Sequence, residues 1–329
     1  MTTAPLPSVS VVMPLLNEAD YLERAVSAIL DQRYAGELEV ILAVGPSSDD
    51  TMGVARRLEA QDPRIVVVEN PTGRTPDALN AALAAARHEV VVRVDGHGFL
   101  SPGYITTAVR SLVETGAANV GGVMAAVGQT PFEKAVATAM RSRLGVGGAS
   151  FHTGGEAGPA ATVYLGVFRR DWLTKVDGYD RRFDRAQDWE LNHRIRSADG
   201  VVWFDPELSV EYRPRGTIRS LAKQYLEYGR WRRVVASHHD GTISARYLAP
   251  PVTLVACAAG LVGGFAWAPL WVVPATYAAS VTVGGLAIGR AQGAAVAVRV
   301  PAALATMHGS WAWGFLTSRP AHLLAKEKR

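Results

Sequence analysis

Glu89-Val90-Val91-Val92-Arg93-Val94-Asp95-Gly96-His97-Gly98 carries a β-branched apolar run broken by a single charge. A short run of this kind, apolar on both faces, reads as a buried parallel strand. It stops at Asp95, and Gly96 lets the backbone turn before His97. In an open α/β sheet, ligands sit beyond the carboxyl ends of the strands. The spacing therefore delivers a carboxylate and an imidazole, both able to ligate a metal, to the place where a ligand binds. The same residues suit an Asp-Gly turn with His97 on the surface, and the run alone leaves both readings open.

Outward from this run, strand and helix patterns alternate. Residues 9–13 are a strand ended by Pro14, with Asn17 and Glu18 in the loop. Residues 19–32 place Leu22, Ala25, Val26, Ile29 and Leu30 at helical spacing. Residues 38–44 read as a strand, 45–51 as a polar turn holding Asp49, 51–61 as a helix and 65–69 as a strand. A loop at 70–76 precedes an Ala-rich helix at 77–87 containing Asn80. Four alternations at short spacing specify an α/β fold with a parallel, doubly wound sheet. No G-x-G-x-x-G follows the first strand and no G-x-x-x-x-G-K-[ST] occurs, which argues against a dinucleotide-binding dehydrogenase or a P-loop ATPase.

Beyond the Asp95 run the pattern gives a helix at 104–115, a strand at 118–126, a helix at 132–143 and a strand at 161–169. The Gly- and Ser-rich segment 145–159, with His152, has the composition of a mobile loop and suits a substrate lid. Gln187, Asp188 and Glu190 fall in the first turn of a helix at 186–198, where the macrodipole favours carboxylates. Capping and an i,i+4 pair between Glu190 and Arg194 explain the same residues structurally. A strand follows at 201–204, then Asp205-Pro206 and Val210-Glu211-Tyr212.

The chain has 329 residues, 48% hydrophobic and 19% charged, with a formal net charge of +4. The asymmetry matters more than the mean. Eight Arg and Lys (213, 215, 219, 223, 230, 232, 233, 246) stand between Arg213 and Arg246 against Glu227 and Asp240. Apolar spans follow directly, so this basic band points to a membrane surface rather than to nucleic acid. One cysteine, Cys257, excludes an internal disulfide and a cysteine zinc site. The first residues show no signal-peptide pattern, which predicts a cytoplasmic first domain.

Together these blocks resemble the family 2 inverting glycosyltransferases of the GT-A fold, over roughly residues 8–235. Val11-Val-Met-Pro14-Leu-Leu-Asn17-Glu18 resembles the family's opening block near the nucleotide base. Gly45-Pro-Ser-Ser-Asp49-Asp50-Thr51 resembles the second block, and Arg74 with Leu79-Asn80 the third, by the diphosphate. Asp95-Gly-His97 stands for the D-x-D metal motif, and Gln187-Asp188 for the acidic catalytic pair. The phrases around Arg93-Val-Asp95, Tyr212-Arg-Pro-Arg215 and Gln224-Tyr-Leu-Glu-Tyr-Gly229-Arg are similar to bacterial transferases of succinoglycan synthesis.

The resemblance implies a GT-A, Rossmann-like, mostly parallel catalytic domain and a C-terminal helical membrane region. It implies Asp188 as the base. It implies donor contacts from Pro14, Asn17, Glu18, Asp49, Arg74, Asn80 and Asp95, and a divalent cation, Mn²⁺ or Mg²⁺, on Asp95 and His97. Glu211 lies near the place of a late family histidine and is a further metal candidate. Three departures stand out: Val44 and Gly45 where the family reads uracil with an aspartate, His97 for the second carboxylate, and the missing late histidine. A UDP-sugar is the first expectation for the donor and a GDP-sugar the second. Trp189 suits either an acceptor platform or a packed aromatic.

The expected divisions are a catalytic domain at 1–212, a basic membrane-surface segment at 213–246 and a membrane region at 247–329. Residues 247–266 and 270–288 are each long enough to span a bilayer. A third stretch, 294–317, holds Arg299, Pro301 and His308; crossing would place the basic tail outside, so an interfacial or re-entrant helix is expected. Arg213, Arg215, Gln224 and Arg230, with Trp189, are expected on the acceptor and lipid side. The processive Q-x-x-R-W signature is absent, which favours a single transfer. The expected activity is transfer of a sugar from a nucleotide donor to a polyprenyl-diphosphate-linked saccharide at the cytoplasmic membrane. A polyprenyl-phosphate glycosyl synthase and a non-catalytic nucleotide-sugar-binding scaffold are the alternatives.

Overall fold

A computed structural model describes residues 6–325. The expected absence of a signal peptide at residues 1–5 and the placement of the tail cations Lys326, Lys328 and Arg329 concern residues outside those described. The chain divides into two compact units, Met1–Ala125 with Gly154–Tyr212, and Ala126–Thr153 with Arg213–Arg329.

The first unit runs β1 (Val9–Leu15), α1 (Ala19–Leu30), β2 (Leu38–Val44), α2 (Thr51–Gln61), β3 (Ile65–Glu69), α3 (Thr75–Ala85) and β4 (Val90–Arg93). β5 (Phe99–Leu100), α4 (Tyr104–Thr115) and β6 (Asn119–Ala126) follow. The chain then forms α5 (Pro131–Met140), α6 (Arg143–Val146) and α7 (Ser150–Thr153) within the second unit. It returns to the first unit with β7 (Gly158–Pro159), β8 (Tyr164–Arg169), α8 (Arg170–Lys175), α9 (Gln187–Ser197) and β9 (Val202–Tyr212).

The strands form one sheet in the order β3-β2-β1-β4-β8-β6-β9-β5, with β7 on β9. β1 to β4 are parallel to their neighbours in that group, as the alternation predicts. Beyond β4 the pairing turns antiparallel: β8 on β4, β6 on β8, and β5 and β7 on β9. An apolar run reads the same in either direction; the connections set the direction, and none from β4 to β8 is a simple helical crossover. Val11, Met13, Leu22, Val26, Leu42, Val92 and Ile105 are buried in the core.

Three local readings change. Pro14 does not end β1; it pairs in register with Ala43, beyond the last β4 partner at Val12, where its missing N–H breaks no ladder on that side. α3 begins at Thr75 rather than residue 77, with Pro76 in the first turn, where a missing N–H is harmless. β9 continues through Asp205-Pro206 as one strand. Pro206 lies between the β7 partners at Trp203 and Phe204 and the β5 partners at Val210 and Glu211.

In the second unit, Thr130 and Glu133 close a capping box on α5. Next come α10 (Ile218–His238), α11 (Ala245–Gly263), a 3₁₀ turn at Ala268–Trp271, α12 (Val272–Gly289), α13 (Ala294–Ala297), α14 (Val300–Thr317) and α15 (Pro320–Ala325). Two segments, Ala245–Gly263 and Ala268–Gln292, are long and apolar enough to cross a membrane, and 17% of each is buried within the protein. A helix of this length rises about 28 Å, close to a hydrocarbon core. The third apolar stretch is broken before Arg299, and its longer part, α14, lies against α10. Two glycines set the approach: a Cβ on Gly229 would stand 2.0 Å from the Trp311 carbonyl oxygen, and one on Gly314 2.1 Å from that of Leu226.

Candidate active site

The turn after β1 is knitted to the turn after β2. Asn17 adopts a positive φ of 58°, which asparagine tolerates. Its side-chain oxygen accepts from the Ser48 N–H at 2.7 Å, and its own N–H donates to the Ser47 hydroxyl. The Asp49 carboxylate accepts from the Ala19 N–H at the start of α1 and from the Thr51 hydroxyl. Those bonds, the Thr51 hydroxyl first, hold its pKa below the ordinary value. Glu18 donates its N–H to Thr51, and its carboxylate lies 2.8 Å from Nδ1 of His97. Gly96 is required beneath this pair: a Cβ there would meet Glu18 Cγ at 2.7 Å and Leu15 at 2.8 Å. The sequence suggested donor roles for Asn17, Glu18 and Asp49; the geometry adds that they fix the His97 turn.

At the end of β4 stands a residue that the sequence reading passed over. Arg93 is 4% exposed. Its Nε and Nη2 donate to one Asp95 oxygen at 3.2 and 3.0 Å, while Nη1 donates to the Asp188 carboxylate. One guanidinium thus joins the strand-end carboxylate to the first turn of α9. Burial works against the Arg93 charge, but the Asp188 and Asp95 carboxylates outweigh it and keep it ionised. Asp188 leaves 30% of its side chain exposed. Desolvation is nevertheless its leading influence, and with Asp95 it raises the Asp188 pKa against the lowering pull of Arg93. The expectation that the helix N-terminus alone keeps Asp188 ionised is therefore incomplete, because Arg93 supplies the counter-charge. The available signal was the lone cation in an otherwise apolar strand.

The backbone before Asp188 is unusual. Ala186 has a φ of 60°, in the left-handed region that disfavours a Cβ. Glu190, fully buried, pairs with Arg194 at 2.7 Å, so its role is structural, and Arg194 reaches the Gly178 carbonyl. Asn80 clamps Tyr179, donating to its carbonyl at 2.7 Å and accepting from its N–H at 2.9 Å. Both ends of that amide are engaged, so Asn80 positions the loop before α9. Arg74 donates to Asp184 at 2.7 Å and to the Arg181 carbonyl at 2.6 Å, tying the start of α3 to the same loop. The Trp189 ring stacks on His193, with centroids 5.5 Å apart.

Glu211 is exposed on β9, opposite Phe99 of β5. Among the described residues no three of His, Cys, Asp and Glu gather as a metal cage, so Asp95, His97 and Glu211 do not form one. The donor set of Asp95 and His97 still suits a cation that takes one or two protein ligands and the remainder from substrate phosphates. An open cleft of about 700 Å³ lined by Tyr34, Glu39 and His88 lies at the opposite, amino-terminal ends of the strands and is not this site. In the second unit, Arg213 pairs with Glu133 at 3.0 Å and Arg230 with Glu227 at 2.9 Å. Gln224 bonds the Tyr228 hydroxyl, and Arg215 is exposed.

The chain matches the description "Glycosyl transferase family 2" over residues 10–177. It is 31% identical over 308 residues, 93% of each chain, to the succinoglycan biosynthesis protein ExoA of Rhizobium meliloti (strain 1021). The chain belongs to glycosyltransferase family 2. A second relative is a dolichyl N-acetyl-α-D-glucosaminyl phosphate 3-β-D-2,3-diacetamido-2,3-dideoxy-β-D-glucuronosyltransferase of Methanococcus voltae. It is 21% identical over 230 residues, 67% of this chain and 71% of that one. In fold, the chain superposes on the mannosyltransferase PcManGT of Pyrobaculum calidifontis, solved with GDP-Man and Mn²⁺. The TM-score is 0.60 at 22% identity, covering 96% of this chain and 89% of that one.

Proposed function

We propose that the chain transfers a sugar, with inversion, from a UDP- or GDP-sugar to a saccharide carried on a polyprenyl diphosphate. The setting is cell-envelope or exopolysaccharide assembly at the cytoplasmic membrane. The observation that carries this reading is the Arg93 bridge, which presents Asp95 and Asp188 to one place beyond the strand ends. Asp188 takes the proton from the acceptor hydroxyl as that oxygen forms its bond to the anomeric carbon, and the bond to the leaving diphosphate breaks. A base needs a pKa nearer neutrality than an ordinary aspartate, and the upward shift of Asp188 runs in that direction. Arg74, at the N-cap of α3, adds positive charge for the diphosphate, with Pro14, Asn17, Glu18 and Asp49 framing the nucleotide side. Asp95 and His97 would hold a divalent cation, which supplies Lewis-acid stabilisation of the leaving group. PcManGT, solved with GDP-Man and Mn²⁺, supports that part. The Methanococcus relative's name, which gives a dolichyl N-acetyl-α-D-glucosaminyl phosphate as the group extended, supports a sugar-bearing, lipid-linked acceptor.

The membrane reading rests on α11 and α12, whose faces are largely unburied. α14 shares its depth with α10, which carries Arg219, Lys223, Arg230 and Arg233, so the pair belongs at the interface rather than in hydrocarbon.

The test is nucleoside diphosphate release by the detergent-purified chain with Mn²⁺, a membrane lipid extract and a panel of sugar nucleotides. Release from one donor, lost on chelation and in Asp188→Asn while donor binding by calorimetry persists, is the expected result. Equal loss of donor binding in Asp188→Asn contradicts the base role. Donor binding with no release from any nucleotide sugar, even with extract, would favour a scaffold. A product bearing one sugar directly on lipid phosphate would identify a glycosyl-phosphate synthase instead.

A further inference from the structure

The loop before α9 brings a phenol to the Arg93 bridge. Tyr179 is 2% exposed, and Cζ of Arg93 lies 5.9 Å from the centroid of its ring. The hydroxyl is closed to solvent, and no acceptor for its proton occurs among the described residues. Arg93 beside it offers only donors. A buried O–H with nothing to donate to costs free energy, and folded proteins keep few of them.

The backbone that carries this phenol is fixed from several sides. Asn80 engages both the N–H and the carbonyl of Tyr179. The two residues before it, Asp177 and Gly178, take left-handed φ values of 59° and 60°. A Cβ on Gly178 would stand 2.7 Å from Oδ1 of Asn80, so the clamp requires glycine there. Arg194, itself held by the buried Glu190, donates to the Gly178 carbonyl at 2.8 Å. A side-chain clamp, a left-handed turn and a buried ion pair thus converge on the position of one ring.

The destination of its proton is limited. Burial, the leading influence, raises the Tyr179 pKa; Asp188 and Asp95 add to the rise and Arg93 opposes it, so the phenol stays protonated. Of the two carboxylates, Asp95 already accepts two N–H groups of Arg93, and Asp188 accepts one. Asp188 therefore keeps the greater unfilled capacity, since an ionised carboxylate offers about four lone-pair sites. Hydrogen bonds around a catalytic carboxylate are often long in the free enzyme and tighten in the substrate complex. We propose that Tyr179 is a positioning residue for Asp188, donating its O–H to that carboxylate once the acceptor is bound. Arg93 and Tyr179 then fix the carboxylate from two directions and leave a lone pair for the acceptor proton. This rests on the reading of Asp188 as the base.

The test compares the detergent-purified full chain with Tyr179→Phe. Nucleoside diphosphate release, donor binding by calorimetry and thermal melting are read on the same preparations. The variant should melt no lower than the parent, because the O–H it loses has no acceptor in the free protein. Its kcat should fall about 10- to 100-fold, the weight of one hydrogen bond to a charged group, with donor affinity and the Mn²⁺ requirement unchanged. Tyr179→4-aminophenylalanine, which restores a donor, should recover part of the loss; no recovery would show that the proton is not what matters. Unaltered turnover in Tyr179→Phe overturns the proposal and leaves the transfer reading intact. A loss confined to donor or Mn²⁺ affinity also overturns it, because the hydroxyl would then serve Asp95. Early melting with unchanged activity per folded molecule marks the phenol as structural and overturns it too. A parent that releases no nucleotide from any donor removes the base reading and this role together.

Discussion

Replacing Arg93 by Met tests the central construction of the site. Methionine fills much of the same volume and removes the charge, so cavity effects stay small. Three hydrogen bonds to two carboxylates are lost, two to Asp95 and one to Asp188. Breaking a buried ion pair by removing one partner costs about 3–5 kcal/mol. Asp95 and Asp188 keep 26% and 30% of their side chains exposed, so water recovers part of that loss. The lower end, about 3 kcal/mol, is therefore expected, corresponding to a fall in melting temperature of about 6–12 °C. With Asp188 as the proposed base, turnover should fall further than stability alone explains, by about 100-fold, because that carboxylate loses the group that orients it. Arg93→Lys should not restore it, since a point charge cannot serve both carboxylates as the planar fork does. Differential scanning fluorimetry and nucleotide release on the same preparation decide the outcome. A variant that melts within about a degree of the parent and turns over normally would refute the bridge as the organising contact of the site.

Two further outcomes follow from other parts of the chain. Glu39, 2% exposed, has its pKa lowered: burial would raise it, but hydrogen bonds from the Ser10 hydroxyl and the Arg87 backbone and side chain outweigh that. A depressed folded-state pKa contributes stability above the unfolded value that is lost as pH falls through the folded one. Glu39→Gln should then cost about 1–2 kcal/mol at neutral pH, allowing for the exposed Arg87, and the gap should narrow in urea titrations below the ordinary carboxylate range. A gap independent of pH would show that the charge does not matter. Cys257, the chain's one cysteine, lies within α11 and should react in sealed proteoliposomes with a membrane-permeant maleimide but not with an impermeant one. Equal labelling by both would argue against a spanning α11.

Much of the first unit was legible because its signals are local. Strands at 38–44 and 65–69 and helices at 51–61 and 104–115 fall where periodicity places them. The Asp95-Gly-His97 turn announces itself by an apolar run ending in a carboxylate. What escaped was non-local. The antiparallel direction of β8, β6 and β9 depends on how the chain returns, which a run of apolar residues does not record. Pro206 looked like a strand end because its effect depends on which neighbours pair alongside it. Arg93 looked like an interruption because its partners are two residues and 95 residues away. Asn80 carried a family role by position, yet its amide is engaged across 99 residues with Tyr179.

The two side chains among these misses share a cause, and it bears on how the site works. Each is a polar group whose meaning lies in a partner from another element, Arg93 with α9 and Asn80 with the loop at Tyr179, and Arg74 with Asp184 and Glu18 with His97 are of the same kind. Burial makes such a group costly unless it is matched, so each one fixes the distance between two elements more tightly than apolar packing does. In the proposed function, carboxylates that meet a diphosphate and an acceptor hydroxyl at defined positions need that tightness. The sheet places Asp95 and the helix places Asp188, but neither element alone sets their separation; the guanidinium between them does. The lone charge in the apolar run at Val90–Arg93 is thus the residue through which the fold becomes a site.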